Sequence, residues 1–233
     1  MTTAIILAGG LGTRLRIAVP NLPKPMAPIH GKPFLEHQIK FWMAQGVTNF
    51  ILSVGYQYEK IVDYFGSQFN GANIEYVIEK KPLGTGGALL LAAQKIKEKN
   101  KPFLLLNGDT YFNVDLRVLK LFAEKKESDW TFSLFSSHDK SRYTRVNVDC
   151  DGLLHFSAAY KGISCDLVNG GVYWIQPKVF ERLSIKVGEV ASLEADLLPE
   201  IEKEGYRIYG YEFKSTFIDI GLPDDYENAK KII

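Results

Sequence analysis

The sequence predicts an α/β fold, on two observations: short apolar runs closed by glycine or polar turns, and apolar stripes at helical spacing that alternate with them. Such alternation implies right-handed crossovers and a mostly parallel, twisted sheet covered on both faces. The expected architecture is a Rossmann-like three-layer sandwich with a mixed, mostly parallel central sheet.

Residues 4–8 are uniformly apolar and run into Gly9-Gly10, as a strand buried on both faces does. Leu35, Ile39, Trp42 and Met43 mark a helix stopped by Gly46, and Phe50-Ile51-Leu52 returns to strand. Tyr58, Ile61, Val62 and Phe65 form the next stripe, and residues 74–78 the next strand. Leu89, Ala92, Ala93 and Ile96 give a further helix for which Thr85 is the expected cap, and residues 103–106 a buried strand. From Thr131 the strand-like runs crowd together, at 131–136, 145–149, 153–156 and 172–175, which predicts antiparallel or mixed additions to the sheet. A helix over 179–183, another over 193–204 interrupted by Pro199, strands over 207–213 and 217–220, and a closing helix from Pro223 complete the chain.

The 233 residues, 46% hydrophobic and 24% charged, fit one domain over 1–233 with a sizeable core. A formal net charge of +1 excludes the broad cationic surface that nucleic-acid or anionic-membrane binding needs, so phosphate recognition has to be local. No apolar stretch approaches a membrane span and no export signal is visible. Cys150 and Cys165 read as reduced thiols, so the expected location is the cytoplasm. His30, His37, His138 and His155 lack metal-ligand spacing, and no Ser/His/Asp or Cys/His arrangement is present. The oligomeric state is not written in the sequence, although a homodimer is the commonest assembly.

Chemistry concentrates in a few motifs. Gly9-Gly10-Leu11-Gly12-Thr13-Arg14 follows the first strand; its glycines bring backbone amides close to a polyphosphate, and Arg14 adds a charged donor. It is neither a Walker A loop nor the dinucleotide fingerprint. In Leu22-Pro23-Lys24-Pro25-Met26 the prolines are expected to hold Lys24 on a stiff, extended segment as a point charge for phosphate. In Glu79-Lys80-Lys81-Pro82-Leu83-Gly84-Thr85-Gly86, Gly84 and Gly86 let backbone lie against a flat ring. Glu79 there suits the two N–H donors of guanine, excludes adenine, and also suits the single N3–H of uracil. Asp109, in Asn107-Gly108-Asp109, and Asp219, in Ile218-Asp219-Ile220-Gly221, sit at strand ends where open α/β sheets place ligands, and one or two carboxylates suffice for Mg²⁺. Asn169-Gly170-Gly171 and Lys161 suit a sugar and its phosphate. Singly, each motif also reads as a tight turn, a solvated lysine, a helix start or a turn aspartate.

Together, IILAGGLGTRL, LPKPMAPI, EKKPLGTGGAL, LLNGDTYF, LVNGGVY and FIDIGLPDDY resemble, in order and spacing, the sugar-1-phosphate nucleotidyltransferases, from end to end. Within that family the chain is most similar to the branch that guanylylates D-glycero-α-D-manno-heptose 1-phosphate for bacterial surface polysaccharide. The resemblance implies the family's nucleotide-diphospho-sugar transferase fold, without the β-helix domain that some relatives carry. It implies a nucleotide-binding half (1–130) and a sugar-phosphate-binding half (131–233), with GTP and a sugar 1-phosphate as substrates and Mg²⁺ as cofactor. By matching position, Leu7, Ala8, Gly9, Gly10, Gly12, Thr13, Glu79, Pro82, Gly84 and Thr85 would surround the nucleotide. Arg14, Lys24, Asp109 and Asp219 would carry catalysis, the two aspartates holding the metal, and Asn107, Lys161, Asn169 and Gly170 would face the sugar phosphate. Two positions depart from the family pattern: Thr144 follows Tyr143 where glycine is usual, and Tyr160 precedes Lys161 where glutamate is usual. A uridylyl or mannose-type guanylyl transferase of the same family, and a non-catalytic sugar-nucleotide sensor, are the alternatives.

Overall fold

Strand β1 (Thr2–Ala8) lies inside a ten-stranded sheet and sends its side chains alternately into two cores. Ala4, Ile6 and Ala8 enter one core and Ile5 the other, which is why residues 4–8 include no polar side chain. The structure, a computed structural model, describes residues 1–137, 143, 145–156 and 164–233.

After β1 come a short hairpin, β2 (Pro28–Ile29) and β3 (Lys32–Pro33), then α1 (Phe34–Ala44), β4 (Val47–Val54), α2 (Tyr58–Phe65), β5 (Gln68–Phe69) and β6 (Ala72–Ile78). The middle of the chain gives α3 (Gly84–Ala93), β7 (Phe103–Asn107), β8 (Thr110–Phe112), α4 (Leu116–Lys126) and β9 (Trp130–Ser136). The last part supplies β10 (Arg145–Val148), β11 (Leu154–His155), β12 (Ser164–Ile175), α5 (Leu198–Lys203), β13 (Ile208–Glu212), β14 (Phe217–Asp219) and α6 (Pro223–Ile232). The sheet order is β11-β10-β12-β7-β1-β4-β6-β5, with β9 on β12 and β13 on β9. Pairs β7–β1, β1–β4, β4–β6 and β9–β13 are parallel; β12 runs against β7, β9 and β10. The sheet is therefore mixed as expected, β12 marking the change of direction.

Helices α1, α2 and α4 bury Leu35, Ile39, Trp42, Ile61, Phe65, Leu116 and Leu119 on one face, while α3 and residues 193–201 bury Leu89, Leu90, Leu197 and Ile201 on the other. That gives three layers. Helix α4 is an element the sequence reading passed over, although Asp115 caps it by accepting from the amides of Arg117 (2.8 Å) and Val118 (3.1 Å). The helix expected over 179–183 is only a 3-10 turn, Pro177–Phe180. Residues 193–204 form a π turn leading into α5, and Pro199 interrupts nothing because it sits in the first turn of α5, where an amide is dispensable.

A third, smaller core joins the two ends of the chain: Leu15, Val19, Ala27, Ile29 and Phe34 pack against Ile218, Ile220, Tyr226 and Ala229. The Tyr226 hydroxyl donates to the Pro28 carbonyl across it. Each fully buried Ile or Phe contributes roughly 1.5–3 kcal/mol, against about 0–1 kcal/mol for an exposed ion pair. Apolar packing, more than charge, therefore docks the segment around Lys24 beside β14. Among the described residues no helix is long and apolar enough to cross a membrane.

Candidate active site

At the carboxyl ends of β1 and β7, where open α/β sheets bind ligands, lies a cavity of about 390 Å³. Residues 7–14, Lys24, Glu79, Pro82, Gly84, Thr85 and 107–109 line it. At Gly12 the backbone has φ +58°, and a Cβ would sit 2.9 Å from that of Lys24, so both conformation and space require glycine. Arg14 stands exposed on the cavity wall, with no ion pair among the described residues.

Lys24 opens a 3-10 turn, Lys24–Met26, instead of an extended segment. That turn needs only the amides of Met26 (2.8 Å to the Pro23 carbonyl) and Ala27 (3.1 Å to that of Lys24), so Pro25 sacrifices no bond and the prolines do not forbid it. The Lys24 ammonium lies 2.7 Å from Asp109 Oδ2 and 3.5 Å from Asp219 Oδ1. The two aspartates, far apart in sequence, are brought together by the antiparallel β8–β14 ladder, which pairs Thr110 with Asp219, and by the Ile220 amide donating to the Asp109 carbonyl at 3.0 Å. Asp219 also accepts the Gly221 amide at 2.6 Å. Two carboxylates facing one ammonium leave a negative charge uncompensated, and the glycine loop and Arg14 lie on the same cavity.

The sequence profile of the nucleotidyl transferases matches residues 3–233. The chain belongs to the nucleotidyl transferase family. This nucleotidyl transferase is 43% identical, over 98% of its length and 96% of the relative, to the D-glycero-alpha-D-manno-heptose 1-phosphate guanylyltransferase of Aneurinibacillus thermoaerophilus. It is 42% identical, over 96% of each chain, to the Campylobacter jejuni protein of the same name. The crystal structure of HddC from Yersinia pseudotuberculosis complexed with GMP-PN, 35% identical, matches it with a TM-score of 0.81 over 100% of this chain and 99% of that one.

In this nucleotidyl transferase Glu79 follows β6 and turns its carboxylate over Gly9, whose missing Cβ makes the room. The Ser53 hydroxyl and the Leu83 amide donate to its two oxygens, each at 3.2 Å. Burial pushes the Glu79 pKa up, and those two donors only partly offset it. A folded-state pKa above the unfolded value means that stability is lost as pH rises through it. Glu79→Gln, whose amide can satisfy both partners, is therefore expected to raise the thermal midpoint at neutral pH. The gain should vanish below the ordinary glutamate value of about 4.3, which melts at both pH values check.

Thr85 does not cap α3: Leu83 occupies the cap position, and the Thr85 hydroxyl accepts the Leu193 amide at 2.9 Å. The glycines nearby are also explained by tertiary packing. Gly84, at φ +72°, would bring a Cβ within 2.5 Å of the Ala191 carbonyl, which itself accepts the amides of Gly86 and Gly87. Segment 189–193 thus fastens the loop that lines the Glu79 side of the cavity.

The described residues expected to face the sugar phosphate separate into two groups. Asn107 lines the cavity; Asn169 and Gly170 do not. Asn169 instead closes a bulge in β12, donating to the Tyr173 hydroxyl at 2.7 Å and accepting the Gly171 amide at 3.0 Å. Gly170 lies against the Phe112 ring. Lys161, Thr144 and Tyr160 fall outside the described residues. Sequence reasoning missed Gln38, a buried amide of α1 that reaches the 107–110 turn; its signal was a polar residue within the apolar stripe of Leu35, Ile39 and Trp42.

Proposed function

We propose that the chain transfers a guanylyl group from GTP to D-glycero-α-D-manno-heptose 1-phosphate and releases pyrophosphate. The observation that carries the proposal is the convergence of Asp109 and Asp219 on Lys24, at the edge of a cavity lined by the glycine loop, Lys24, Asp109 and Glu79. Guanine is supported by the Glu79 carboxylate, whose oxygens keep lone pairs for the N1–H and N2–H₂ donors, and by the names of both bacterial relatives. The heptose rests on those relatives.

A phosphate oxygen of the sugar 1-phosphate attacks the α-phosphorus of GTP in line. The bond from that phosphorus to the bridging oxygen breaks, and pyrophosphate leaves with the electron pair. The attacking oxygen is already anionic near neutral pH, so the residues align and neutralise charge without acting as a general base. Amides of the 9–14 loop, with Arg14, hold the triphosphate, and Lys24 sets its ammonium against the phosphates. Asn107, which lines the cavity, meets the sugar phosphate. The uncompensated charge at Asp109 and Asp219 fits a divalent cation, since Mg²⁺ takes one or two carboxylates together with phosphate oxygens. Mg²⁺ bound there supplies charge neutralisation and an anchor for the phosphates. Use of GTP sets the reaction in the cytoplasm.

Pyrophosphate release measured with ATP, CTP, GTP and UTP against heptose, mannose and glucose 1-phosphates tests the reading. GTP with the heptose 1-phosphate is expected to be fastest. A faster rate with mannose 1-phosphate reassigns the sugar, a preference for UTP reassigns the base, and nucleotide binding without pyrophosphate release leaves a sensor.

A further inference from the structure

We infer that Gln38 is a positioning residue for this reaction, its carboxamide holding the 107–110 turn so that Asp109 faces Asp219 and the pair keeps its affinity for a divalent cation. The inference rests on the metal assignment proposed above. Gln38 sits on the buried face of α1 between Leu35, Ile39 and Trp42, and is itself only 3% exposed. Its Nε2 donates to the Asn107 carbonyl at 2.7 Å and to the Thr110 carbonyl at 2.8 Å, so both amide hydrogens are spent on the two flanks of Gly108-Asp109. The Oε1 of the same amide is buried and has no partner among the described residues, so only the donor side is engaged.

The rest of the turn is tied by backbone: the Gly108 amide donates to the Leu7 carbonyl at 2.9 Å, and the Asp109 carbonyl accepts from Ile220 at 3.0 Å. The Asp109 side chain is 42% exposed. Held by the Lys24 ammonium at 2.7 Å and otherwise open to solvent, that carboxylate takes its position from the backbone of the turn. Removing the Gln38 donors takes a hydrogen bond from each of two carbonyls, one buried and one partly buried, and the turn shifts to reach other donors. Outer residues that orient metal ligands act in this way.

The test compares Gln38→Met, which keeps the length of the side chain, with the unaltered protein. Mn²⁺ binding is read from the free-ion signal in electron paramagnetic resonance, alongside kcat, KM for GTP and the thermal midpoint. Gln38→Met is expected to weaken Mn²⁺ binding and lower kcat, each by roughly 10–100-fold, while KM for GTP stays within about threefold. In an Asp109→Asn background the same substitution should add nothing, because Gln38 acts through Asp109. Gln38→Glu, which keeps the shape and one donor when protonated, should fall between the two and stands in if Gln38→Met does not fold. A lower thermal midpoint with unchanged Mn²⁺ affinity and kcat overturns the inference, as does a full additional loss in the Asp109→Asn background. If Asp109→Asn alone leaves Mn²⁺ binding intact, the metal assignment falls first and takes this inference with it.

Discussion

Asp109→Asn is expected to lower kcat by roughly 10²–10³-fold, the scale of removing one preorganised electrostatic stabiliser from a reacting centre, and Asp219→Asn by a similar factor. Asparagine keeps the shape of the side chain, and the backbone bond from Ile220 to the Asp109 carbonyl is untouched, so the change is one of charge. The fold should survive it. Either variant still leaves Lys24 facing one carboxylate, and the small core of Leu15, Ile218, Ile220 and Tyr226 continues to hold the segments together. Pyrophosphate release at saturating GTP and sugar 1-phosphate measures the effect, with a thermal melt as control. Near-normal turnover in both variants would remove the carboxylates from the mechanism and reduce them to partners of Lys24.

What could be read beforehand divides along a physical line. Strand β1 and helix α1 declare themselves because their burial follows a period of the chain itself, all residues for a strand covered on both faces and every third or fourth for a helix. The glycine loop is legible for the same local reason. Thr85 misled because its type and place satisfy a local capping rule, whereas a tertiary partner, the Leu193 amide, claims its hydroxyl. The conformation at Lys24 is not legible in the same way, since two prolines restrict a segment without choosing between extended chain and the single tight turn found there. Asn169 suits a sugar by residue type alone, and residue type does not show that the register shift in β12 engages its amide within its own strand. The meeting of Asp109 with Asp219 depends on a β8–β14 pairing between distant parts of the chain, and no local pattern announces such a pairing. Here the likeness to a family supplied what periodicity lacked.

That meeting gives Lys24→Met two effects of opposite sign. With substrates present, loss of the ammonium removes a stabiliser of phosphate charge, and kcat is expected to fall by roughly 10²–10³-fold. Without nucleotide the effect reverses. The ammonium 2.7 Å from Asp109 and 3.5 Å from Asp219 already offsets one of the two negative charges that a divalent cation needs, so the cation competes with it. Lys24→Met removes that competitor, and Mn²⁺ should bind nucleotide-free protein roughly 10–100-fold more tightly, matching the ~1.5–3 kcal/mol of a hydrogen bond to a charged group. In the unaltered protein an incoming triphosphate gives the ammonium a second anion to move to, so cation and nucleotide should bind with mutual reinforcement. Mn²⁺ titrations of both proteins, with and without GTP, separate the cases. Weaker Mn²⁺ binding by nucleotide-free Lys24→Met would mean that the lysine organises the carboxylates for the cation instead of standing in its place.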